Sequence, residues 1–140
     1  MPNRVFLDAN TIVSGLLFEG NESDVLTLGA IGVVELVTTA YVFAEVEEVL
    51  RRSEFRLEEQ EVLDLVRYAH GALAVLPDPP TAQVRAYEGR IRDKKDAPVW
   101  AGADATRAMY LVTGDKDLLG TVPQAVRSKA LLVKVFSGES

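Results

Sequence analysis

The chain has 140 residues, 48% of them apolar and 26% charged, which fits one domain with a real core and is ordinary for a globular protein. It contains no cysteine and a single histidine, His70; a disulfide scaffold, a thiolate zinc site and a histidine-rich metal site are excluded, so a bound metal would be held mainly by oxygen, pointing to Mg²⁺ or Mn²⁺. A formal net charge of −6 argues against a passive nucleic-acid binder, whose affinity comes from a basic surface, but not against an enzyme whose acids hold a metal.

The opening MPNRVFLD lacks the apolar stretch of a signal peptide, and no apolar run approaches the roughly 20 residues of a membrane helix; the chain is expected in the cytoplasm, with no membrane contact. Val5, Phe6 and Leu7 predict a short buried strand ending on Asp8. Asn10 or Thr11 is expected to cap the helix TIVSGLLF, which Gly20 and Asn21 break. Glu22 to Ile31 predicts a second helix with Val25, Leu26, Leu28 and Ile31 inward, and Val33 to Thr38 a second strand. Thr39 to Arg52 is a stronger helix, because Val42, Phe43, Val46, Val49 and Leu50 form one apolar stripe. Its acids differ. Glu47 and Glu48 have Arg51 and Arg52 four residues on as surface partners. Glu45 has Val49 there, and lies at the edge of the stripe, where a helix offers a carboxylate to a cleft.

Leu57 to His70 predicts a helix with Leu57, Val62, Leu63, Leu65 and Val66 as its apolar set, and Ala72 to Leu76 a third strand closed by PDPP. A short helix over Thr81 to Ile91 leads to RIRDKKDAPVWAGADATRAM, where Pro98 suits a first helical turn and Asp96 stands at its start. Tyr110, Leu111 and Val112 form a strand that Thr113 and Gly114 end, with Asp115 and Asp117 directly after; Leu131 to Phe136 is expected as the last strand. Alternating helices and strands predict an α/β fold, a central, mostly parallel sheet with helices on both faces.

Asp8, Glu45, Asp96 and Asp115 stand at strand ends, a cleft-edge helix face and a helix start. Together they would make an all-oxygen site for one or two divalent cations, able to activate water for phosphodiester cleavage. Each also has a plain structural role open to it. Asp8 and Asp96 suit helix caps, Glu45 a rim, and Asp115 a turn. Asp117 suits the start of the helical turn DLLG better than metal binding, Asp93 is the rival to Asp96, Asp104 belongs on a solvated face, Trp100 in the core, and His70 in a structural or solvated position.

VFLDANTIVSGLL, AEVEEVL, RDKKDAPVWAGA and YLVTGDKDLL, taken in order, resemble the PIN domain family, in particular its bacterial and archaeal branch of toxin–antitoxin toxins. The likeness runs from Val5 to Phe136 and implies one PIN domain over 1–140, a three-layer α/β/α sandwich. It also implies a Mg²⁺- or Mn²⁺-dependent endoribonuclease leaving 5′-phosphate and 3′-hydroxyl ends. The family's acids fall on Asp8, Glu45, Asp96 (in KDAP) and Asp115 (in TGD), as metal ligands and catalytic groups. Asn10 and Thr113 fall where small polar residues arrange the acids or their waters. The implied partners are an RNA substrate and an antitoxin protein, with a homodimer as an option. Arg90, Arg92, Lys94, Lys95 and Lys116 stand beside the acids and are candidates for backbone-phosphate contacts. Two other readings stay open. FLDANT and VTGDKD resemble haloacid-dehalogenase motifs, although Asn10 replaces the expected acid and Leu119 breaks the second motif. A non-catalytic binding module would keep the acids as a structural metal site.

Overall fold

The structure, a computed structural model, describes residues 3–138. The apolar run before Asp8 forms β1 (Arg4–Leu7), and Val5, Phe6 and Leu7 have no exposed surface, as a strand covered on both faces requires. On one side of it lies β2 (Glu35–Thr39) and then β3 (Leu73–Leu76); on the other lies β4 (Tyr110–Val112) and then β5 (Ala125–Val126). The order is β3–β2–β1–β4–β5. Every pairing is parallel, so the sheet expected to be mostly parallel is parallel throughout. Leu7 stands opposite Val112, which makes Asp8 and Thr113 leave the sheet side by side.

Helices make the crossovers. α1 (Ala9–Leu17) and α2 (Asn21–Ala30) join β1 to β2; α3 (Ala40–Leu50) and α4 (Glu59–Ala72) join β2 to β3. α5 (Thr81–Glu88) and α6 (Ala97–Ala105) return the chain to β4, α7 (Lys116–Thr121) leads to β5, and α8 (Ser128–Phe136) follows it. α1, α2, α4 and α8 pack among themselves, whereas α5 packs on α6, which lies on β2 and β4. Right-handed crossovers running one way from β1 to β3 and back to β4 place these two sets on opposite faces. The result is an α/β/α sandwich. No helix among the described residues is long and apolar enough to cross a membrane.

Several local expectations need correction. Leu131 to Phe136 is helix, not strand: Ser128, Leu131 and Leu132 are buried while Val133 and Phe136 are exposed, a 3.6-residue pattern, and the last strand is the two-residue β5. β2 begins at Glu35 because Val33 and Val34 both donate to the Leu28 carbonyl and belong to the turn after α2. Ile31 and Leu63 are 67% and 44% exposed, so neither is core; in α4 Ala69 and Ala72 are buried instead. Arg51 donates to the Glu47 backbone carbonyl at 3.3 Å but forms no ion pair with its carboxylate. It forms an ion pair with Glu59 across to α4, and the other ion pairs among the described residues are Arg4–Glu35 and Arg67–Asp64. The helix after β1 is capped by Asp8, not by Asn10 or Thr11.

Candidate metal centre

From β1 the chain moves outward through β2 to β3, then crosses back to β4 on the other side of β1. The crevice beyond the carboxyl ends of β1 and β4 is therefore the switch point of the sheet, where open α/β folds bind ligands. Asp8 leaves β1 there and is buried. Its Oδ1 accepts from the Thr11 amide at 2.9 Å, capping α1, and its Oδ2 accepts from the Thr113 hydroxyl. Burial raises the Asp8 carboxyl above the usual carboxylate range, the hydrogen bonds from Thr113 and Thr11 oppose it, and the Asp115 charge adds to the rise.

The Thr113 hydroxyl also accepts from the Asp115 amide at 3.0 Å, so one buried hydroxyl ties the end of β1 to the turn after β4. Asp115 then caps α7, its Oδ1 accepting from the Leu118 amide at 2.9 Å, and Asp117 lies in the first turn of that helix. Asp96 arrives from the opposite side, at the end of a single 3₁₀ turn over Lys94–Asp96. Asp93, the rival candidate, caps that turn by accepting from the Lys95 amide at 3.0 Å. Asp96 precedes α6 but makes no side-chain cap bond to it. Its Oδ2 is buried without a hydrogen-bond partner. Burial, and then the charges of Asp115, Asp93, Asp117 and Asp8, push the Asp96 carboxyl up to about 6.

One carboxylate oxygen from each of Asp96, Asp115 and Asp117 lies within 4.8 Å of the other two. Oxygen ligands sit about 2.0–2.6 Å from Mg²⁺ or Ca²⁺, so a triad of this spread can share one divalent ion. The donors are all hard oxygens, one is an orphan, and their mutual repulsion is what a cation relieves. Asp8, Glu45, Asp96 and Asp115 line one cavity of about 180 Å³. The tight triad nonetheless takes Asp117 in place of Asp8, whose two oxygens are already engaged, and of Glu45, which is exposed at the rim. Asp117, a supporting candidate that suits the start of a helical turn better than metal binding, lies in the first turn of α7 and joins the other two acids. The spacing Asp-x-Asp just past a strand end was the signal for it.

The remaining candidates are spread out. Asn10 is exposed and lines the cavity, as does Lys95. Arg92, Lys94 and Lys116 are exposed. Arg90 is committed elsewhere, its guanidinium 4.4 Å from the Trp100 ring centroid and 4.8 Å from that of Tyr87. Trp100 is buried as expected. Asp104 lies at the surface but accepts from Tyr87 Oη and Gln124 Nε2, each at 2.7 Å. The lone imidazole of His70 stacks on Phe43 at 4.8 Å.

Sheet order and crevice define the class: an α/β protein with a carboxylate-lined cleft at its switch point. The sequence matches the PIN domain over residues 4–117, and the chain belongs to that family. The match leaves the haloacid-dehalogenase alternative without support. Among solved structures the chain is similar to PAE2754 from Pyrobaculum aerophilum, at 22% identity over 98% of each chain with a TM-score of 0.71. A toxin–antitoxin complex from Klebsiella pneumoniae aligns at 15% identity over 89% of this chain and 97% of that chain, TM-score 0.64. Mycobacterium tuberculosis VapC20, a sarcin–ricin loop cleaving toxin, aligns at 14% identity over 84% and 95%, TM-score 0.58. At these identities the likeness is one of fold. No curated relative matches the chain in sequence.

Proposed function

We propose that this chain, acting as one PIN domain over its length, is a nuclease that cleaves RNA with bound Mg²⁺ or Mn²⁺ and serves as the toxin of a toxin–antitoxin pair. The observation that carries the reading is the triad of Asp96, Asp115 and Asp117, with its buried, unpartnered Asp96 oxygen. These three would hold the ion, with Asp8 and Glu45 adding negative charge to the same cleft. When bound, the ion lowers the pKa of water and neutralises charge developing on the phosphoryl oxygens.

The chain's own groups do the rest. Thr113 fixes Asp8 and the backbone of Asp115 together, so the acids are held in place before a substrate arrives. Lys95 at the cleft attracts the phosphate that the acids would otherwise repel. No imidazole lines the cleft, so general-base work by His70 is not part of the reading. Toxin–antitoxin complexes among the similar folds support an antitoxin partner.

The test is an RNase assay of wild type, Asp96→Asn and Asp115→Asn in Mg²⁺, in Mn²⁺ and in EDTA. Cleavage should require the ion and fall at least 100-fold in either variant, the range seen when one electrostatic stabiliser is lost. Cleavage that persists in EDTA, or in both variants, would overturn the assignment.

A further inference from the structure

A second cavity, of about 370 Å³, opens beside the acidic cleft, toward β5 and α8. The two spaces share Asn10, and Thr113, which bonds both Asp8 and Asp115, forms part of the second wall. Their charge is opposite. The cleft is lined by five acids and one lysine. The second cavity is lined by Arg127 and Lys129, and its one acid is Glu22. Both oxygens of Glu22 are occupied, Oε1 by the Ser14 hydroxyl at 3.3 Å and Oε2 by that of Ser128. Arg127 and Lys129 belong to no ion pair among the described residues. Arg127 precedes α8 without a side-chain cap, so amide donors of the first turn add to the positive character of this wall. Gly114 lines this second cavity and has nothing within 4 Å of where a Cβ would stand.

On a chain with net charge −6, a polyanion can cross an acidic cleft only if its neighbouring charges find compensation close by. We propose that this cavity is the subsite for an internal phosphate of the substrate strand, next to the phosphate that is cut, and that Arg127 and Lys129 hold it. The assignment rests on the nuclease reading of the adjoining cleft. It adds a specific binding contribution outside the acids themselves.

The experiment compares wild type, R127A/K129A and, as a surface control, R67A. One arm reads binding of a fluorescent RNA oligonucleotide without divalent ions, across a salt series; the other reads its cleavage in Mn²⁺. The double variant should bind about tenfold more weakly, with the slope of log K against log salt shallower by about 1, the mark of one lost phosphate contact. In the cleavage arm KM should rise about tenfold with kcat little changed. A neutral methylphosphonate placed beside the scissile position should weaken wild type but not the double variant. An unchanged slope and KM, or no RNA binding by wild type, would overturn the subsite. A loss confined to 5′-phosphorylated strands would assign the cavity to a chain end and overturn it equally. RNA binding with the expected slope change but no Mn²⁺-dependent cleavage would sink the catalytic reading alone and keep Arg127 and Lys129 as the holders of a strand phosphate.

Discussion

The Thr113 hydroxyl serves two partners, donating to Asp8 and accepting from the Asp115 amide, and it is 1% exposed. Thr113→Val keeps the shape and strips both bonds. A buried carboxylate oxygen and a half-buried amide would lose their partner, which costs about 1–3 kcal/mol. The Asp8 carboxyl, already raised by burial, would rise further, because Thr113 is the strongest of the influences holding it down. The variant should therefore melt several degrees lower and bind Mn²⁺ more weakly; wild-type melting and Mn²⁺ titration curves would remove Thr113 from the site. Asp96 gives a second residue-scale prediction. Its folded-state pKa of about 6 lies above its ordinary value of 3.8. The folded state thus holds the proton more tightly, and this group's contribution is fully present below pH 4 and lost as pH rises through 6. Asp96→Asn mimics the protonated form. Without divalent ions it should match wild type near pH 4 and exceed it at pH 7.5 by about 1 kcal/mol, discounted for solvent screening at a half-exposed group. Equal melting temperatures at both pH values would contradict the raised pKa. Asp8 is legible because it follows directly on an apolar strand, and Asp115 because only Thr113 and Gly114 separate it from one. Arg127 and Lys129 are not, since nothing in their own segment says that the end of β5 turns back toward β1.

At the scale of the element, the α8 misreading shows where pattern runs out. LLVKVF has the composition of a strand, and only the position of Ser128, Leu131 and Leu132 against α2 and the sheet shows the helical period. Strands β1 and β4 are readable because three consecutive apolar residues, followed by Asp8 in one case and by Thr113 and Gly114 in the other, suit a sheet covered on both faces. Two glycines make a paired test of helix packing. A Cβ on Gly29 in α2 would stand 2.4 Å from the Ala72 carbonyl oxygen and 2.4 Å from Leu36 Cδ1. The first of these is backbone and cannot swing away. Gly29→Ala should destabilise by about 1–3 kcal/mol, the usual cost of overpacking. Gly71, in α4, has open space around its Cβ position, so Gly71→Ala should stabilise by about 0.5–1 kcal/mol through helix propensity. Chemical denaturation of both variants checks the pair. Equal shifts in the same direction would mean that α2 does not approach α4 and β2 as closely as described.

For the whole molecule, the folded chain gathers charge rather than dispersing it: of a net −6, five acids face one cleft and Asp117 stands beside them. Folding has to bring these carboxylates together against their repulsion, so the sheet topology that builds the site also lowers the stability of the chain without an ion. An ion bound by the folded state alone adds RT ln(1 + [L]/Kd), about 2.7 kcal/mol at a hundredfold excess over Kd. For a chain of this length that corresponds to a rise in Tm of roughly 5–10 °C. The increment should depend on pH with a definite sign. Below about 6 Asp96 carries a proton that competes with the ion, so Mn²⁺ should raise Tm strongly at pH 7.5 and weakly at pH 5. The ion should also reverse the Asp96→Asn comparison: the variant, more stable than wild type at pH 7.5 without Mn²⁺, should be the less stable of the two with it. That crossing separates ion binding from general screening, because KCl at matched ionic strength weakens repulsion in the cleft but has no reason to favour Asp96 over Asn. If KCl reproduces the Mn²⁺ shift, or if the two melting curves never cross, the acids of the cleft are repelling one another without holding a cation.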